Sequence, residues 1–199
     1  MELIVVCEKP EYRREFLDWS DLAPEIKHLK MVTHVGLPKP MSIARDSLCI
    51  FIMDYRQVAG QSWLDALAEM NPRGASSLFL INEKEFLSED EHARITTELS
   101  AVLGRIVPRA HVGIVSTSLA IASSMLASGR VGVNELARTR SVMAYMASHD
   151  LGHVPDPGQL FDFSGFKQII SRVSALAKYT GSVDSLESDT SALRATGRN

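Results

Sequence analysis

The stretch that decides the fold is Ser47-Leu-Cys-Ile-Phe-Ile-Met-Asp54, an apolar run that ends in an acid. A second apolar run, Leu3-Ile-Val-Val-Cys7, lies near the N-terminus and ends in Glu8. Strands of a parallel sheet are buried on both faces, and their carboxyl ends open into the crevice where α/β proteins place their chemistry. We therefore expect Glu8 and Asp54 to share such a crevice. A strand-terminal Asp also caps loops and helix starts, so a purely structural role of Asp54 stays open.

Strand and helix patterns alternate along the first two thirds of the chain. The predicted strands are 2–7, 28–34, 47–54, 77–82 and 111–116, with a weaker one at 130–133. Helical spacing marks 62–70 and 88–103, and the second of these opens with an S-x-x-E capping box. This alternation predicts an α/β protein with a doubly wound parallel sheet. Gly36, Pro38 and Pro40 predict a short or irregular second crossover.

The pattern becomes helical beyond about residue 130. Segment 135–149 has helical spacing, and Val154–Gly158 reads as a turn or linker. A helix over 160–179 is predicted by one apolar stripe made of Phe163, Phe166, Ile169, Ile170, Val173, Leu176 and Ala177. This stripe must be buried against the body of the protein or against the same helix of a second subunit, and we expect a homodimer.

These patterns divide the chain into three parts. We expect an α/β domain over 1–130, a helical extension for dimerisation or partner contact over 131–180, and a mobile tail rich in Ser, Asp and Thr over 181–199.

Composition sets the broad class. The chain has 199 residues, 45% of them hydrophobic and 23% charged, as in globular proteins with a proper core. The net charge of −3 argues against a nucleic-acid footprint spread over the whole surface.

Cys7 and Cys49 fall inside predicted strands and read as buried apolar residues of a reducing compartment. No apolar run reaches the roughly 18 residues that span a bilayer and no secretory signal is visible, so we expect a cytoplasmic protein without membrane contact.

The first 125 or so residues resemble the receiver domain of bacterial two-component response regulators. Val5–Phe16 is similar to the first strand, acidic corner and first helix of a receiver. Ile52-Met-Asp-Tyr55, followed by Trp63–Leu67, resembles the phosphoacceptor strand and the helix after it. Ser77–Ile81 looks like the fourth strand. The resemblance implies a flavodoxin-like (receiver-like) sheet.

The resemblance also implies site residues, and the sequence departs from the family at several of them. Asp54 corresponds to the phosphoacceptor, and Glu8 with Asp54 to the Mg²⁺ site. Lys9, however, stands where a second acid is usual. The hydroxyl expected after the fourth strand falls on Asn82. The expected lysine falls near Ser116 or Thr117, and there is no Lys between Lys84 and Lys167.

Two points stay open at this stage. Lys9 either lies beside Asp54 as an internal cation, replacing metal or phosphate, or it is a solvated surface lysine. Either 111–116 is the fifth strand and 118–128 the last helix, which we favour, or 111–116 is the fourth strand. In the second register Ser116 or Thr117 supplies the hydroxyl, and 130–133 is the fifth strand.

Other constellations carry weaker signals. The cluster His149-Asp-Leu-Gly-His153 resembles a histidine-kinase phosphoacceptor box or an i, i+4 zinc pair, but helix-end histidines are the commoner explanation. The motifs G-x-G-x-x-G, G-x-x-x-x-G-K-[ST], G-x-S-x-G and C-x-x-C are absent, which removes the usual nucleotide, hydrolase and redox classes. Scattered arginines that can touch nucleic acid are Arg130, Arg138, Arg140 and Arg172.

The sequence thus predicts a divergent receiver-like signalling module, or pseudo-receiver, of a two-component or phosphorelay system. It is not an enzyme beyond self-phosphorylation on Asp54, and it regulates by contact with a kinase or an output protein. Two alternatives remain. One is an enzyme or small-molecule binder that uses the same crevice, and the other is a transcription regulator with an unrecognised DNA-binding output.

Overall fold

A computed structural model describes most of the first 175 residues. The described residues are 2–22, 26, 29–44, 47–54, 60–70, 72, 75–82, 84–108 and 110–175. The expected tail over 181–199 lies outside them, as do Leu176 and Ala177 of the predicted apolar stripe.

The core of the protein is a parallel sheet of five strands in the order 2-1-3-4-5. The strands are β1 Glu2–Cys7, β2 Lys30–Val35, β3 Leu48–Met53, β4 Ser76–Ile81 and β5 Ala110–Ile114. Every residue of β3 is buried, as its apolar sequence predicts for a strand covered on both faces. The predicted α/β class and the parallel sheet are confirmed.

The strand register past residue 82 follows the favoured alternative. Ser77–Ile81 pairs in parallel with Ala110–Ile114, so β5 is the fifth strand and the helix after it begins at Thr117. The weaker strand predicted at 130–133 is wrong. Gly129 takes a positive φ of 67° and Gly132 caps a short helix, so Val131 lies in the connection and Val133 begins that helix.

Helices connect the strands and continue beyond the sheet. They are α1 Pro10–Leu22, α2 Gln61–Met70, α3 Glu89–Leu103, α4 Thr117–Ala127, α5 Val133–Leu136, α6 Arg140–Ser148, α7 Pro157–Ser164 and α8 167–175, with a 3₁₀ turn at Lys84–Phe86. The predicted capping box of α3 is confirmed, because Ser88 Oγ accepts from Glu91 N–H and Glu91 Oε2 accepts from Ser88 N–H. Within the second crossover, the described residues 36–44 form no helix, as predicted. No described helix is long and apolar enough to cross a bilayer.

Three expectations for the C-terminal part are corrected. The single helix predicted over 135–149 is two helices, α5 and α6. Val154–Gly158 is not a linker throughout, because Asp156 caps α7 and Pro157 occupies its first turn. The predicted helix over 160–179 is divided at Gly165, whose φ of 77° ends α7 before α8 begins.

Both faces of the sheet are covered by helices. On one face α2 and α3 supply a cluster that contains Trp63, Leu67, Ile95 and Leu99. On the other face α1 and α8 pack together with the alternate residues of the strands. The buried members from the C-terminal part are Phe166, Ile169 and Val173, so α8 is a component of the main core and not of a separate extension.

Aromatic packing fixes α8 to α1. The ring of Phe166 lies 4.4 Å from Trp19 in an edge-on arrangement and 6.3 Å from Phe16. The side chain of Gln168 crosses Gly113 of β5 so closely that any Cβ at Gly113 would collide with it. The described part of the apolar stripe is thus packed within the same chain, so its burial does not require a second subunit. Homodimerisation stays a prediction.

A second layer of helices lies outside the sheet. The segment between α4 and α8, residues 128–165, is called the helical insertion here. Its buried residues Leu136, Val142, Tyr145 and Leu160 pack against Leu119 and Ala122 on the outer face of α4. The inner face of α4 contributes Ala120 to the core under the sheet. Because α4 is covered on two sides, it is apolar nearly all round.

We expect Phe166→Ala to lower the free energy of unfolding by about 3–5 kcal/mol, because it empties a fully buried site between α1 and the sheet. Urea denaturation followed by far-UV circular dichroism measures this. Phe86→Ala, which removes the same side chain from a site that is 40% exposed, should cost about 1 kcal/mol or less. Equal, small effects of both substitutions would show that α8 is detached from the core.

Candidate functional site

The carboxyl ends of the strands gather most of the predicted site residues. Glu8 follows β1 and Asp54 follows β3, and these two strands are neighbours in the sheet. The backbone N–H of Asp54 donates to Glu8 Oε2 at 2.6 Å. The close approach that the sequence predicts for these two residues is therefore seen. Residues 55–59, which follow Asp54, lie outside the described residues.

Lys9 supplies a positive charge to this pair. Its Nζ lies 3.2 Å from Asp54 Oδ2, donates to Tyr12 Oη at 3.3 Å, and sits 5.1 Å from the centroid of the Tyr12 ring. Burial works to lower the pKa of Lys9, but the hydrogen bonds with Tyr12 and Asp54 outweigh it and raise the pKa well above its usual range. Lys9 thus pairs with Asp54, as the first alternative expects, although its side chain is 39% exposed to solvent.

The carboxylate of Glu8 lies in a less favourable environment than it would have in water. Its Oε1 atom is buried without a hydrogen-bond partner among the described residues. Burial raises the pKa of Glu8, while the N–H of Asp54 and the charge of Lys9 act in the opposite direction and the charge of Asp54 adds to the rise. Burying a carboxylate oxygen without a donor costs free energy, so this position favours the protonated acid more than water does.

The two carboxylates of the crevice are each engaged by another group of the chain. A magnesium ion takes near-octahedral oxygen coordination. The described residues contain no group of three or more His, Cys, Asp or Glu side chains that can hold a metal. One oxygen of Glu8 is engaged by a backbone N–H, and Asp54 Oδ2 is engaged by the ammonium of Lys9. Magnesium therefore stays a prediction of the resemblance that this arrangement of charges does not favour.

A second polar group lies at the ends of β4 and β5. Asn82 Oδ1 accepts from the backbone N–H of Thr117 at 2.9 Å and lies 3.2 Å from its hydroxyl. The same hydroxyl donates to Glu15 Oε2 on α1, and Ser118 Oγ lies 3.4 Å from Glu15 Oε1. Asn82 and Thr117 are both buried. These side chains tie β4, α4 and α1 together, and Asn82 offers no hydroxyl at the place where a receiver has one.

Ser116 has a structural role at the start of α4. Its Oγ accepts from the backbone N–H of Leu119 at 3.1 Å, as an N-cap does, and its own N–H donates to the carbonyl of Ser164 at 2.9 Å. No lysine stands at Ser116 or Thr117, so the cation that the family places after the fifth strand is absent from these positions.

Sequence reasoning missed Glu15 and Lys84. Glu15 lies in the middle of α1, and no strand-end rule points to it. The Nζ atom of Lys84 sits 4.5 Å from the centroid of the Phe163 ring, and its backbone N–H donates to Val115 O at 2.9 Å. Burial lowers the pKa of Lys84. This contact joins the turn after β4 to α7, which only the tertiary structure brings together.

The histidine cluster and the arginines have surface or structural positions. His149 follows α6, with its ring 4.4 Å from Tyr145 and 4.9 Å from Phe163, which agrees with a helix-end histidine. Arg172 contacts His111 Nδ1 at 2.8 Å, and Arg140 lies over the ring of Phe86. Nucleic-acid contact through the arginines stays a prediction.

Comparison with known proteins gives no family. No protein-family model and no curated protein matches the chain. Among solved structures, the apo form of translation elongation factor SelB from Methanococcus maripaludis aligns with a TM-score of 0.43 at 8% identity, over 70% of this chain and 37% of that one. A bacterial dynamin from an oligomerised pair aligns with a TM-score of 0.35 at 17% identity, over 73% of this chain and 25% of that one. The chain thus spans only about a third and a quarter of these two proteins.

The raised pKa of Glu8 predicts a pH dependence of stability. An acid whose pKa is raised on folding stabilises the folded state fully below its unfolded pKa, and this contribution is lost as the pH rises through the folded pKa. The native protein should therefore lose stability relative to Glu8→Gln as the pH rises from 4 to 8. The free energies of unfolding of both proteins, measured by urea denaturation at the two pH values, test this. Glu69→Gln on α2, an exposed acid without an ion pair among the described residues, controls for the loss of one negative charge. An unchanged difference between the Glu8→Gln and native proteins at the two pH values would contradict the pKa assignment.

Proposed function

We propose that this protein is a divergent receiver-like signalling module that regulates another protein by direct contact and does not depend on phosphorylation of Asp54. We place it in a two-component or phosphorelay type of system in the cytoplasm. Its partner is an output protein, or a kinase that it binds without accepting a phosphoryl group. It carries no catalytic turnover of its own.

The order and ends of the strands support a receiver-like fold. The strand order 2-1-3-4-5 is the one that flavodoxin-like proteins and receivers share, and in such sheets the functional crevice lies at the carboxyl ends of the strands where the order reverses. Here β1 and β3 flank that switch point and carry Glu8 and Asp54 at their ends. This is the position of the acidic corner and the phosphoacceptor in the family.

The ion pair between Lys9 and Asp54 carries the proposal of phosphorylation independence. Phosphoryl transfer to a carboxylate needs a free nucleophilic oxygen and cations that neutralise the phosphoryl oxygens. Asp54 Oδ2 is held at 3.2 Å by an ammonium that belongs to the same chain. The positions expected to steady the transferred group hold an amide at Asn82 and a helix-capping hydroxyl at Ser116. The crevice therefore resembles a permanently neutralised receiver site.

The strength of the ion pair matters for this argument. The side chains of Lys9 and Asp54 are 39% and 22% exposed, so water screens their attraction. A partly exposed pair of this kind contributes only about 1 kcal/mol or less. Its effect is local: it fixes the charge beside Asp54 and contributes little to the free energy of folding.

We expect no phosphoryl adduct on Asp54 when the full chain is incubated with acetyl phosphate and Mg²⁺, because the nucleophile is paired and its partners are absent. Intact-mass spectrometry with a receiver of known activity as positive control measures this. Lys9→Ala alone should also stay unmodified, since the hydroxyl and the lysine are still missing. An adduct on the native chain that Asp54→Asn abolishes would overturn the proposal.

A further inference from the structure

The two edges of the sheet differ in how the rest of the chain covers them. Just beyond edge strand β5, the N–H of Ser116 donates to the carbonyl of Ser164 at 2.9 Å. The turn between α7 and α8 also lies so close to β5 that a Cβ on Gly165 would be 2.7 Å from the carbonyl oxygen of Ile114. The outer side of edge strand β2 receives no comparable backbone contact from the described residues.

The backbone groups of β2 point alternately to β1 and to this open side. The N–H of Gly36, directly after β2, donates to the carbonyl of Cys7 of β1 at 2.9 Å. Alternate residues of a strand direct their N–H and C=O groups to opposite sides, so the even-numbered residues of β2 face β1. The N–H and C=O groups of Met31, Thr33 and Val35 therefore face outward. They have no hydrogen-bond partner in the part of the chain that the structure describes.

Strand β2 lacks most of the features that close a sheet edge to other chains. It pairs with β1 residue by residue over Lys30–Val35, without a bulge, and it contains no proline. Its lysine lies at the amino end, where the ammonium is 2.7 Å from Glu2 Oε1. The centre of the strand carries Val32, which is 39% exposed, and Leu37 beyond its end is 49% exposed. Monomeric proteins block their edges with charge, proline or bulges, so this unblocked edge favours pairing with another strand.

We propose that β2 pairs with β2 of a second copy of this chain, antiparallel and about a two-fold axis at Val32, so that the two sheets join into one. In this register the outward N–H and C=O groups of Met31 exchange hydrogen bonds with those of Thr33 of the second copy. Val32 lies opposite Val32 of the second copy as a non-hydrogen-bonded pair, the kind in which side chains approach most closely. Each exposed valine therefore covers the other.

Charge and side-chain size select this register over its neighbours. Arg13 of α1 donates from Nε to Thr33 Oγ1 at 2.9 Å, so a two-fold axis at Thr33 would bring two Arg13 guanidiniums together. An axis at Val32 separates the two copies of Thr33 by two strand positions, about 7 Å along the strands. An axis at His34 would place Val32 opposite Gly36, which has no side chain to cover it.

A second copy fits this edge better than an extended segment of another protein. The main chain of an edge accepts any strand, and specificity comes from the side chains of alternate residues. On one face β2 carries Lys30, Val32 and His34, and the two-fold axis places Lys30 opposite His34 and Val32 opposite itself. Glu2 already supplies the counter-charge of Lys30, so no two uncompensated cations meet. Two-fold pairing is also the commonest arrangement for identical chains. No residue of the crevice takes part, so this inference stands apart from the proposed function.

The test is sedimentation velocity of the full chain at neutral pH, from about 1 to 200 µM. We expect a reversible dimer with a dissociation constant on the order of 10 µM, as for a small interface. Val32→Lys places two ammonium groups on the axis, and Thr33→Pro removes an outward N–H. Each substitution should raise the dissociation constant at least about tenfold. Far-UV circular dichroism checks that each variant is folded.

Matched controls are Val133→Lys, at an apolar position of α5 that is 51% exposed, and Thr33→Ala, which keeps the backbone N–H. They should leave the dissociation constant unchanged within about twofold. The inference is overturned if the chain stays monomeric at about 200 µM. It is also overturned if Val32→Lys and Thr33→Pro leave the dimer intact, or if Val133→Lys disperses it equally.

Disulfide cross-linking tests the register. Val32→Cys should give a covalent dimer under mild oxidation, because the Cα atoms of a non-hydrogen-bonded pair are about 4.5 Å apart, within disulfide reach. Lys30→Cys should not, because the register sets its two copies about 13 Å apart along the strands. The native Cys7 and Cys49 are buried and should not cross-link. Equal cross-linking of the two variants, or none of Val32→Cys, would overturn the proposed pairing.

Discussion

The need to bury both faces of a five-stranded parallel sheet governs the architecture of this protein. The three central strands, β1, β3 and β4, are buried on both faces, so they require helices above and below them. On one face residues of α1, α4 and α8 share one buried cluster with the strands, and the side chain of Gln168 of α8 lies against Gly113 of β5. The contact of Phe166 with Trp19 closes this layer. The helical insertion connects α4 to α8, two helices that contribute to the core, and it packs against the outer face of α4.

A second constraint acts at the carboxyl edge of the sheet. Parallel strands that end together bring their terminal side chains together, so Glu8 and Asp54 meet although 46 residues separate them. Two carboxylates at one place require a counter-charge, and the chain supplies it from Lys9, the residue directly after Glu8. The lysine is near enough to reach Asp54 because α1 begins at Pro10 and turns the chain over the crevice. The electrostatics of the site thus depend on local sequence, whereas its geometry depends on the sheet.

The sequence was informative where local rules act. The continuous apolar runs predicted all five strands of the sheet, with differences of a few residues at their ends, and the S-x-x-E box predicted the start of α3 at Ser88. It was less informative where the same local pattern has two outcomes. The apolar residues around Gly132 read as a strand but form a turn and a short helix. The stripe from Phe163 to Val173 reads as one helix, yet Gly165 takes a left-handed conformation and sends Phe163 to the insertion and Phe166 to the main core. A glycine in a helical pattern permits either continuation or a break, and packing chooses between them.

By itself, the sequence determined the class of the fold, the parallel arrangement of the strands and the meeting of Glu8 with Asp54, because strand burial and strand polarity follow from apolar runs and their spacing. Only the tertiary structure decided that the ammonium of Lys9 reaches Asp54 Oδ2. It also decided that Glu15 reaches Thr117 and that Lys84 lies against Phe163. These contacts join residues that no periodicity relates, since each depends on how helices from distant parts of the chain are oriented over the sheet. The same holds for Arg140 of α6, which lies over the ring of Phe86 in the turn after β4.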